Sequence, residues 1–267
     1  MRALLLCAGL GTRLRPLTDF LPKCLVPING RPLLDFWIDR LFSQGVDEVL
    51  INTHHHASLV ANYLARSTWH GRVKLVHEEC LLGTGGTLLE NRAFFDGQPI
   101  LLAHADNLTR FDCRDFLSAH QRRPAGTALT MMLFRAAVPS SCGIVEIDST
   151  CVVHAFHEKA PNPPGNLANA AVYLIEPEII DYMASLGKEV VDFSTEVIPH
   201  YIGRISTYMN DIYHRDIGTI ASWSEAQRDF SMPPLSVENQ QAWSSVIKGL
   251  GDDYSRLVAS LSENAAG

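Results

Sequence analysis

Three cations, Arg13, Arg15 and Lys23, crowd behind a glycine pair, Gly9 and Gly11, at the head of the chain, and two aspartates, Asp106 and Asp216, each close an apolar or extended run far downstream. Glycines let backbone N–H groups approach a phosphate without an intervening side chain, and neighbouring arginines neutralise the charge that gathers there. Two carboxylates with substrate phosphates and water complete an ordinary Mg²⁺ site. Cations, backbone donors and paired carboxylates are what phosphoryl or nucleotidyl transfer requires, because the reacting oxygens already belong to the substrates and the protein has only to position and neutralise them. Taken alone, two aspartates read as caps or turn residues. A bare glycine pair likewise reads as a turn.

The loop is not one of the two common phosphate cradles. A dinucleotide fold needs a third glycine as a helix opens, but Leu14 stands there and Pro16 opposes an unbroken helix. This excludes a nicotinamide-dependent oxidoreductase. A P-loop needs Gly-Lys-Ser/Thr, whereas Gly11 is followed by Thr12 and Arg13. The triplet His54-His55-His56 invites a metal reading, yet consecutive side chains rarely converge on one ion, so it is read as a solvated loop at a strand end.

These residues must be held by a fold of ordinary composition. The chain has 267 residues, 46% hydrophobic and 19% charged, enough for one large domain with an accessory tail. Its net charge of -7 offers nothing to nucleic acid or an anionic membrane, so a polyanion must be bound by a local cluster. Six cysteines without C-x-x-C spacing suggest neither a disulfide framework nor a zinc site. Only five apolar residues precede the glycine loop, and no run approaches the about 20 needed to span a bilayer. A cytoplasmic protein is expected.

The periodicity predicts a strand at residues 3–7, a helix at 32–44 closed by Gly45, a strand at 46–52, a helix at 57–66 and a strand at 73–77. That alternation is the rhythm of a parallel sheet with covering helices. A glycine-rich loop at 78–88 leads into a short helix ending near Arg92, and residues 100–105 form a buried strand with Asp106 at its C-terminal end, where open parallel sheets bind ligands. After a helix at 112–122 the texture changes to strands at 127–134, 143–147, 151–157 and 168–175, an α+β lobe in which an acceptor could sit. Helices at 177–183, 194–201 and 219–228 are expected, with an extended stretch at 205–213 and a Pro-containing boundary at 231–236 before two helical tail segments, 239–249 and 252–264. The tail could pair two copies or pack on its own lobe. No hexapeptide repeat of a β-helix is present.

Gly9, Gly11, Thr12, Arg13, Leu14, Pro16, Thr18, Pro22, Lys23 and Pro27, in this order and spacing, resemble the signature of the sugar-1-phosphate nucleotidyltransferases. The resemblance extends over residues 2–230 and implies transfer of a nucleotidyl group from a nucleoside triphosphate to a sugar 1-phosphate, with release of pyrophosphate. It implies an α/β fold with a Rossmann-like, mostly parallel sheet, flanking helices, an α+β acceptor lobe, a short helical C-terminal tail and no β-helix. Residues 1–230 would form the nucleotidyltransferase domain, with nucleotide bound by about 1–125 and sugar phosphate by about 126–230, and residues 231–267 the tail.

By the same resemblance Arg13, Lys23, Asp106 and Asp216 are catalytic, and Asp106 and Asp216 hold Mg²⁺. Ala8, Gly9, Gly11, Thr12, Arg13, Lys23, Glu78, Gly83, Thr84, Gly85 and Asp106 would meet the nucleotide. Asn107, Gly143, Glu158, Lys159 and Asn169 would meet the sugar phosphate. The stretch Leu82-Gly83-Thr84-Gly85-Gly86 is closer to the Gly-Thr-Ala-Gly type of guanylyltransferases acting on mannose or related 1-phosphates, so GTP is favoured, with a uridylyl- or thymidylyltransferase as alternative. A non-catalytic nucleotide-sugar-binding regulatory subunit is the alternative of another class. Retention of Arg13, Lys23, Asp106, Asp216 and Lys159 argues against it. Departures from the pattern are His104-Ala105-Asp106 in place of Gly-Asp, Lys159-Ala160 in place of Lys-Pro, and Ala171 in place of a glycine, which would narrow the acceptor pocket. A nucleoside triphosphate, a sugar 1-phosphate and a possible second copy of the chain are the expected partners.

Overall fold

The leucines after Arg2 run without a polar interruption, as a strand covered on both faces demands, and Ala3, Leu4 and Leu5 are fully buried. The computed structural model describes residues 1–266, with side chains to residue 261. Its strands are β1 (Arg2–Leu6), β2 (Pro27–Ile28), β3 (Arg31–Pro32), β4 (Glu48–Thr53), β5 (Val73–His77), β6 (Ile100–His104), β7 (Asn107–Arg110), β8 (Leu129–Arg135), β9 (Gly143–Ile147), β10 (Val153–Glu158), β11 (Leu167–Ile175), β12 (Ile205–Met209) and β13 (Tyr213–Asp216). Its helices are α1 (Leu33–Ser43), α2 (Ala57–Arg66), α3 (Gly83–Glu90), α4 (Arg92–Phe95), α5 (Cys113–Gln121), α6 (Glu178–Ser185), α7 (Ile220–Asp229) and α8 (Val237–Ala266). The chain divides into two compact units, and neither is continuous in sequence.

The first unit comprises Met1–Leu4, Leu81–His104 and Thr109–His214. Its strands run in the order β10-β9-β11-β6-β1, with β8 beside β11 and β12 beside β8. β11 is antiparallel to β6, β8 and β9, while β12 is parallel to β8. The register of β11 against β8 shifts between Asn169 and Tyr173. In that bulge Ala171 has φ 53. The expected α-helix at 194–201 is instead a π turn, Phe193–Val197, followed by a 3₁₀ turn, Ile198–Tyr201. Pro199 lacks the N–H that an α-helical bond would need.

The second unit comprises Leu5–Cys80, Ala105–Leu108 and Arg215–Gly267. Here β1 is followed by β4 and β5, the last two parallel. Leu33, Leu34, Trp37, Ile38 and Leu41 recur at helical spacing on α1 and are all fully buried. The hairpin β2–β3 is held by α7, whose Trp223 donates its indole N–H to the Pro27 carbonyl at 2.9 Å. The two tail helices are the two parts of α8, parted at Gly251 with φ 78 and ψ -173. The tail packs on its own unit: Asn239 donates to Asp35 at 2.8 Å. Asp35, fully buried, also accepts from Arg31, Tyr63 and Trp69. The α/β class with flanking helices is thus as expected, with antiparallel pairings of β11 to β6, β8 and β9, of β9 to β10 and of β2 to β3. Among the described residues no helix is long and apolar enough to cross a membrane.

Candidate active site

Pro22, extended at φ -64 and ψ 146, delivers the chain into a single 3₁₀ turn, Lys23–Leu25, whose three side chains are buried. A buried ammonium must find counter-charges. Lys23 Nζ lies 2.7 Å from Asp106 Oδ2 and 3.2 Å from Asp216 Oδ1. Burial alone would lower its pKa, but the two carboxylates outweigh that cost and hold the ammonium above its ordinary range. The aspartates are brought together by backbone: Ile217 N–H donates to the Asp106 carbonyl at 3.2 Å, and Ala105 N–H to that of Leu6 at 3.1 Å. Arg13, largely exposed, stands 3.8 Å from the second oxygen of Asp216. A Cβ on Gly218 would fall 2.7 Å from that same oxygen and 3.2 Å from the Arg13 guanidinium, so a side chain there would displace the ends of both.

Among the described residues no three His, Cys, Asp or Glu side chains gather as a metal cage. Two converging carboxylates nevertheless suit Mg²⁺, which takes one or two of them and completes its shell with phosphate and water oxygens. The donor set fits the ion.

Below this cluster the glycine loop is set by a left-handed turn. Gly11 has φ 63, and a Cβ there would meet Thr18 Cγ2 at 2.8 Å. Its carbonyl accepts from Leu14 N–H at 2.9 Å and from Thr18 Oγ1 at 2.8 Å. Around Gly9 the space is open, and Thr12 and Arg13 are exposed, whereas Ala8 is buried. Cys7 N–H donates to Asn52 Oδ1 at 2.7 Å, and Asn52 Nδ2 donates to Glu78 Oε1 at 2.9 Å. Asn52 and Glu78 are both buried, so one amide side chain fixes the end of β1 and the carboxylate together. Burial, reinforced by Cys24 and the Asp106 charge, pushes the Cys7 thiol well up, which leaves it a poor nucleophile.

The histidine triplet is less solvated than its sequence suggests. His54 Nδ1 lies 2.8 Å from the Glu78 carbonyl, and His55 Nε2 3.1 Å from that of Thr18. The rings serve to pin neighbouring loops. Asn107 is buried, and its carbonyl accepts the Trp37 indole N–H at 2.7 Å.

In the first unit, Gly143 pairs with Glu158 across β9 and β10. A Cβ on Gly143 would fall 2.8 Å from Glu158 Oε2. Lys159, at φ 47, is exposed and places Nζ 3.3 Å from Glu158 Oε1. Asn169 is locked: its Oδ1 accepts from Ala171 N–H at 2.9 Å and its Nδ2 donates to the Tyr173 hydroxyl at 2.6 Å. Burial holds the Tyr173 phenol well above its ordinary range, with Glu158 among the charges that face it. Gly143, Glu158 and Lys159 thus come together, and Asn169 is joined to Tyr173.

The glycines expected to form a nucleotide loop lie inside helix α3. Gly85 and Gly86 donate their N–H groups to the Val191 carbonyl at 2.8 and 3.2 Å, and Phe193 N–H donates to Thr84 Oγ1 at 2.8 Å. A Cβ would fall 2.5 Å from the Val191 oxygen at Gly83, 2.9 Å from Val191 Cγ1 at Gly85, and 2.5 Å from the Glu189 oxygen at Gly86. Close packing on residues 189–193 is what these glycines permit.

A family model described as nucleotidyl transferase matches residues 2–232. The chain belongs to the nucleotidyl transferase family. This family member is 32% identical over 222 residues to a mannose-1-phosphate guanylyltransferase of Mycobacterium tuberculosis, a match covering 81% of this chain and 61% of the relative. It is 33% identical to mannose-1-phosphate guanylyltransferase 1 of Arabidopsis thaliana over 68% of this chain and 51% of that one. A UTP–glucose-1-phosphate uridylyltransferase of Synechocystis is 28% identical over 76% of this chain and 55% of its own length. The chain therefore spans between half and two thirds of these relatives. In fold, this family member is similar to the crystal structure of HddC from Yersinia pseudotuberculosis, with a TM-score of 0.74, 22% identity and coverage of 86% of this chain and 99% of that one.

Proposed function

We propose that the chain transfers a nucleotidyl group to a sugar 1-phosphate. An oxygen of the sugar phosphate attacks the α-phosphorus of a nucleoside triphosphate in line, the bond to the β-phosphate oxygen breaks, and pyrophosphate leaves. The observation that carries this reading is Lys23 held between Asp106 and Asp216 beside Arg13. Lys23 and Arg13 face the charge that develops on the phosphates, and no covalent enzyme intermediate is needed. Asp106 and Asp216 would hold Mg²⁺, which when bound supplies charge neutralisation and orients the triphosphate. Lys159 grips the acceptor phosphate, and Glu158 and Asn169 shape the sugar pocket. In this division of labour residues 1–125 serve the nucleotide, 126–230 the sugar phosphate.

GTP with mannose 1-phosphate or a related hexose or heptose is the favoured pair. The guanylyltransferase names of the M. tuberculosis and A. thaliana relatives support it. So does chemistry: Glu78 is a buried carboxylate oriented by Asn52, a carboxylate only accepts hydrogen bonds, and guanine alone presents two adjacent donors on its pairing edge. UTP on a different sugar is the second reading, supported by the uridylyltransferase of Synechocystis. Pyrophosphate release with Mg²⁺ across GTP, UTP, dTTP, CTP and ATP against mannose, glucose, N-acetylhexosamine and heptose 1-phosphates tests all of this. Release with GTP and one hexose or heptose phosphate is expected. Silence in every combination would overturn the reaction.

A further inference from the structure

We propose that the outer part of α8 braces the signature loop for the nucleotide, with Tyr254 as the positioning residue. The proposal rests on the reading of Arg13 and Lys23 as triphosphate contacts. The inner part of α8 is fastened to α2 and its surroundings: Asn239 Nδ2 donates to Asp35 Oδ1 and Asn239 Oδ1 accepts from Thr68 N–H, both at 2.8 Å, and Trp243 meets Tyr63 edge-on at 6.1 Å between ring centroids. A tail that only covered α2 would need no more than this.

The helix is then broken at Gly251, whose φ of 78 no ordinary side chain adopts without strain. Beyond the break Tyr254 is buried, and its ring lies 5.8 Å from that of Phe20. Phe20 belongs to the signature segment, two residues from Thr18, whose Oγ1 donates to the Gly11 carbonyl at 2.8 Å and whose own carbonyl faces His55 Nε2 at 3.1 Å. Between Thr12 and Leu25 that segment contains only 3₁₀ turns of three residues each. Such turns do not hold a shape by themselves, so their neighbours must impose it. His55 does so at Thr18, and Tyr254 does so at Phe20. The ring is the working part, because the Tyr254 hydroxyl is buried with no hydrogen-bond partner among the described residues.

The test compares Tyr254→Ala, Tyr254→Leu, Tyr254→Phe and Trp243→Ala in the full chain. Both Michaelis constants are read by pyrophosphate release, and hydrogen exchange is followed over residues 12–27. Both alanine variants lose a buried ring and should melt earlier. Tyr254→Ala should in addition raise the KM for the triphosphate about tenfold, leave that for the sugar phosphate unchanged and accelerate exchange at 12–27. Tyr254→Leu, which keeps apolar bulk should the alanine variant not fold, should do the same more weakly. Trp243→Ala should leave triphosphate KM and exchange at 12–27 as they are, and Tyr254→Phe should behave as the parent. Equal effects of the Tyr254 and Trp243 variants on the triphosphate, or unchanged exchange at 12–27 without the ring, would overturn the brace. A parent protein that releases no pyrophosphate would defeat the reaction, while the exchange comparison would still decide the brace.

Discussion

Lys23 shows what a single buried charge demands. Its two carboxylates stand 83 and 193 residues away in sequence, and each is required twice, once to neutralise the lysine and once, on the proposed reaction, to meet the ion. Replacing Asp106 or Asp216 by Asn keeps the shape and removes one charge. Turnover should fall at least about 100-fold in kcat with the circular dichroism spectrum retained; activity surviving in either variant would remove the assignment. A second residue-scale prediction concerns His120, whose Nδ1 lies 2.8 Å from Thr130 Oγ1 and Nε2 3.2 Å from Glu176 Oε1. Burial, helped by Arg123, outweighs Glu176 and lowers its pKa to about 4. The unfolded chain therefore binds this proton near pH 6.5 and the folded chain does not until about 4, so stability is lost as pH falls through that window. His120→Gln should be less stable at neutral pH but lose about 2 kcal/mol less between pH 6.5 and 4 in urea titrations. Ala171 is the third case: at φ 53 an alanine is strained by about 1 kcal/mol. Ala171→Gly should raise the melting temperature slightly, or at worst leave it unchanged, since the unfolded chain gains freedom too. Ala171 stands where the family pattern has a glycine, and its positive φ gives a backbone reason for glycine beside the room in the pocket.

Elements that could be read from sequence were those with a period to read. The spacing on α1 and the apolar run of β1 predict their burial directly, and α2 (Ala57–Arg66), β5 (Val73–His77) and β9 (Gly143–Ile147) have the bounds expected. The two-residue strands β2 and β3 and the four-residue β7 and β13 were missed, because such short stretches carry no periodicity and exist only through their partners. The glycines of α3 were misplaced for another reason: glycine lowers helix propensity, and only the backbone at 189–193 explains why it is tolerated. Gly86→Ala, which propensity alone would favour, should instead destabilise by about 1–3 kcal/mol in thermal or urea unfolding, since the added methyl meets a carbonyl oxygen that cannot rotate away. The catalytic candidates were legible because their residue types are unusual where they stand. Asn52 and Tyr173 were not, since an amide in a strand and a tyrosine in a core are commonplace until their hydrogen bonds are seen.

At the scale of the molecule the tail is the clearest lesson. Its helical character could be read from sequence, but its place could not, because Asp35 looks like any acid in the first turn of a helix. It is in fact the point where α1, α2, Trp69 and α8 meet through Arg31, Tyr63 and Asn239. Asp35→Asn would leave the buried Arg31 only the half-exposed Asp39, at 3.0 Å, as counter-charge, and a loss of about 2–3 kcal/mol is expected in urea unfolding. The chain passes between its two units at 4/5, 80/81, 104/105, 108/109 and 214/215. A ribosome making this protein therefore cannot finish the unit that holds Lys23 until Asp216 and the segment beyond it have emerged. The lysine waits, with half its neutralisation missing, until 193 further residues have been made. Folding of that unit must await Arg215 and the residues after it, slow by virtue of its long-range contacts, and a nascent chain stalled before Arg215 would carry the whole signature loop without the segment that completes its unit.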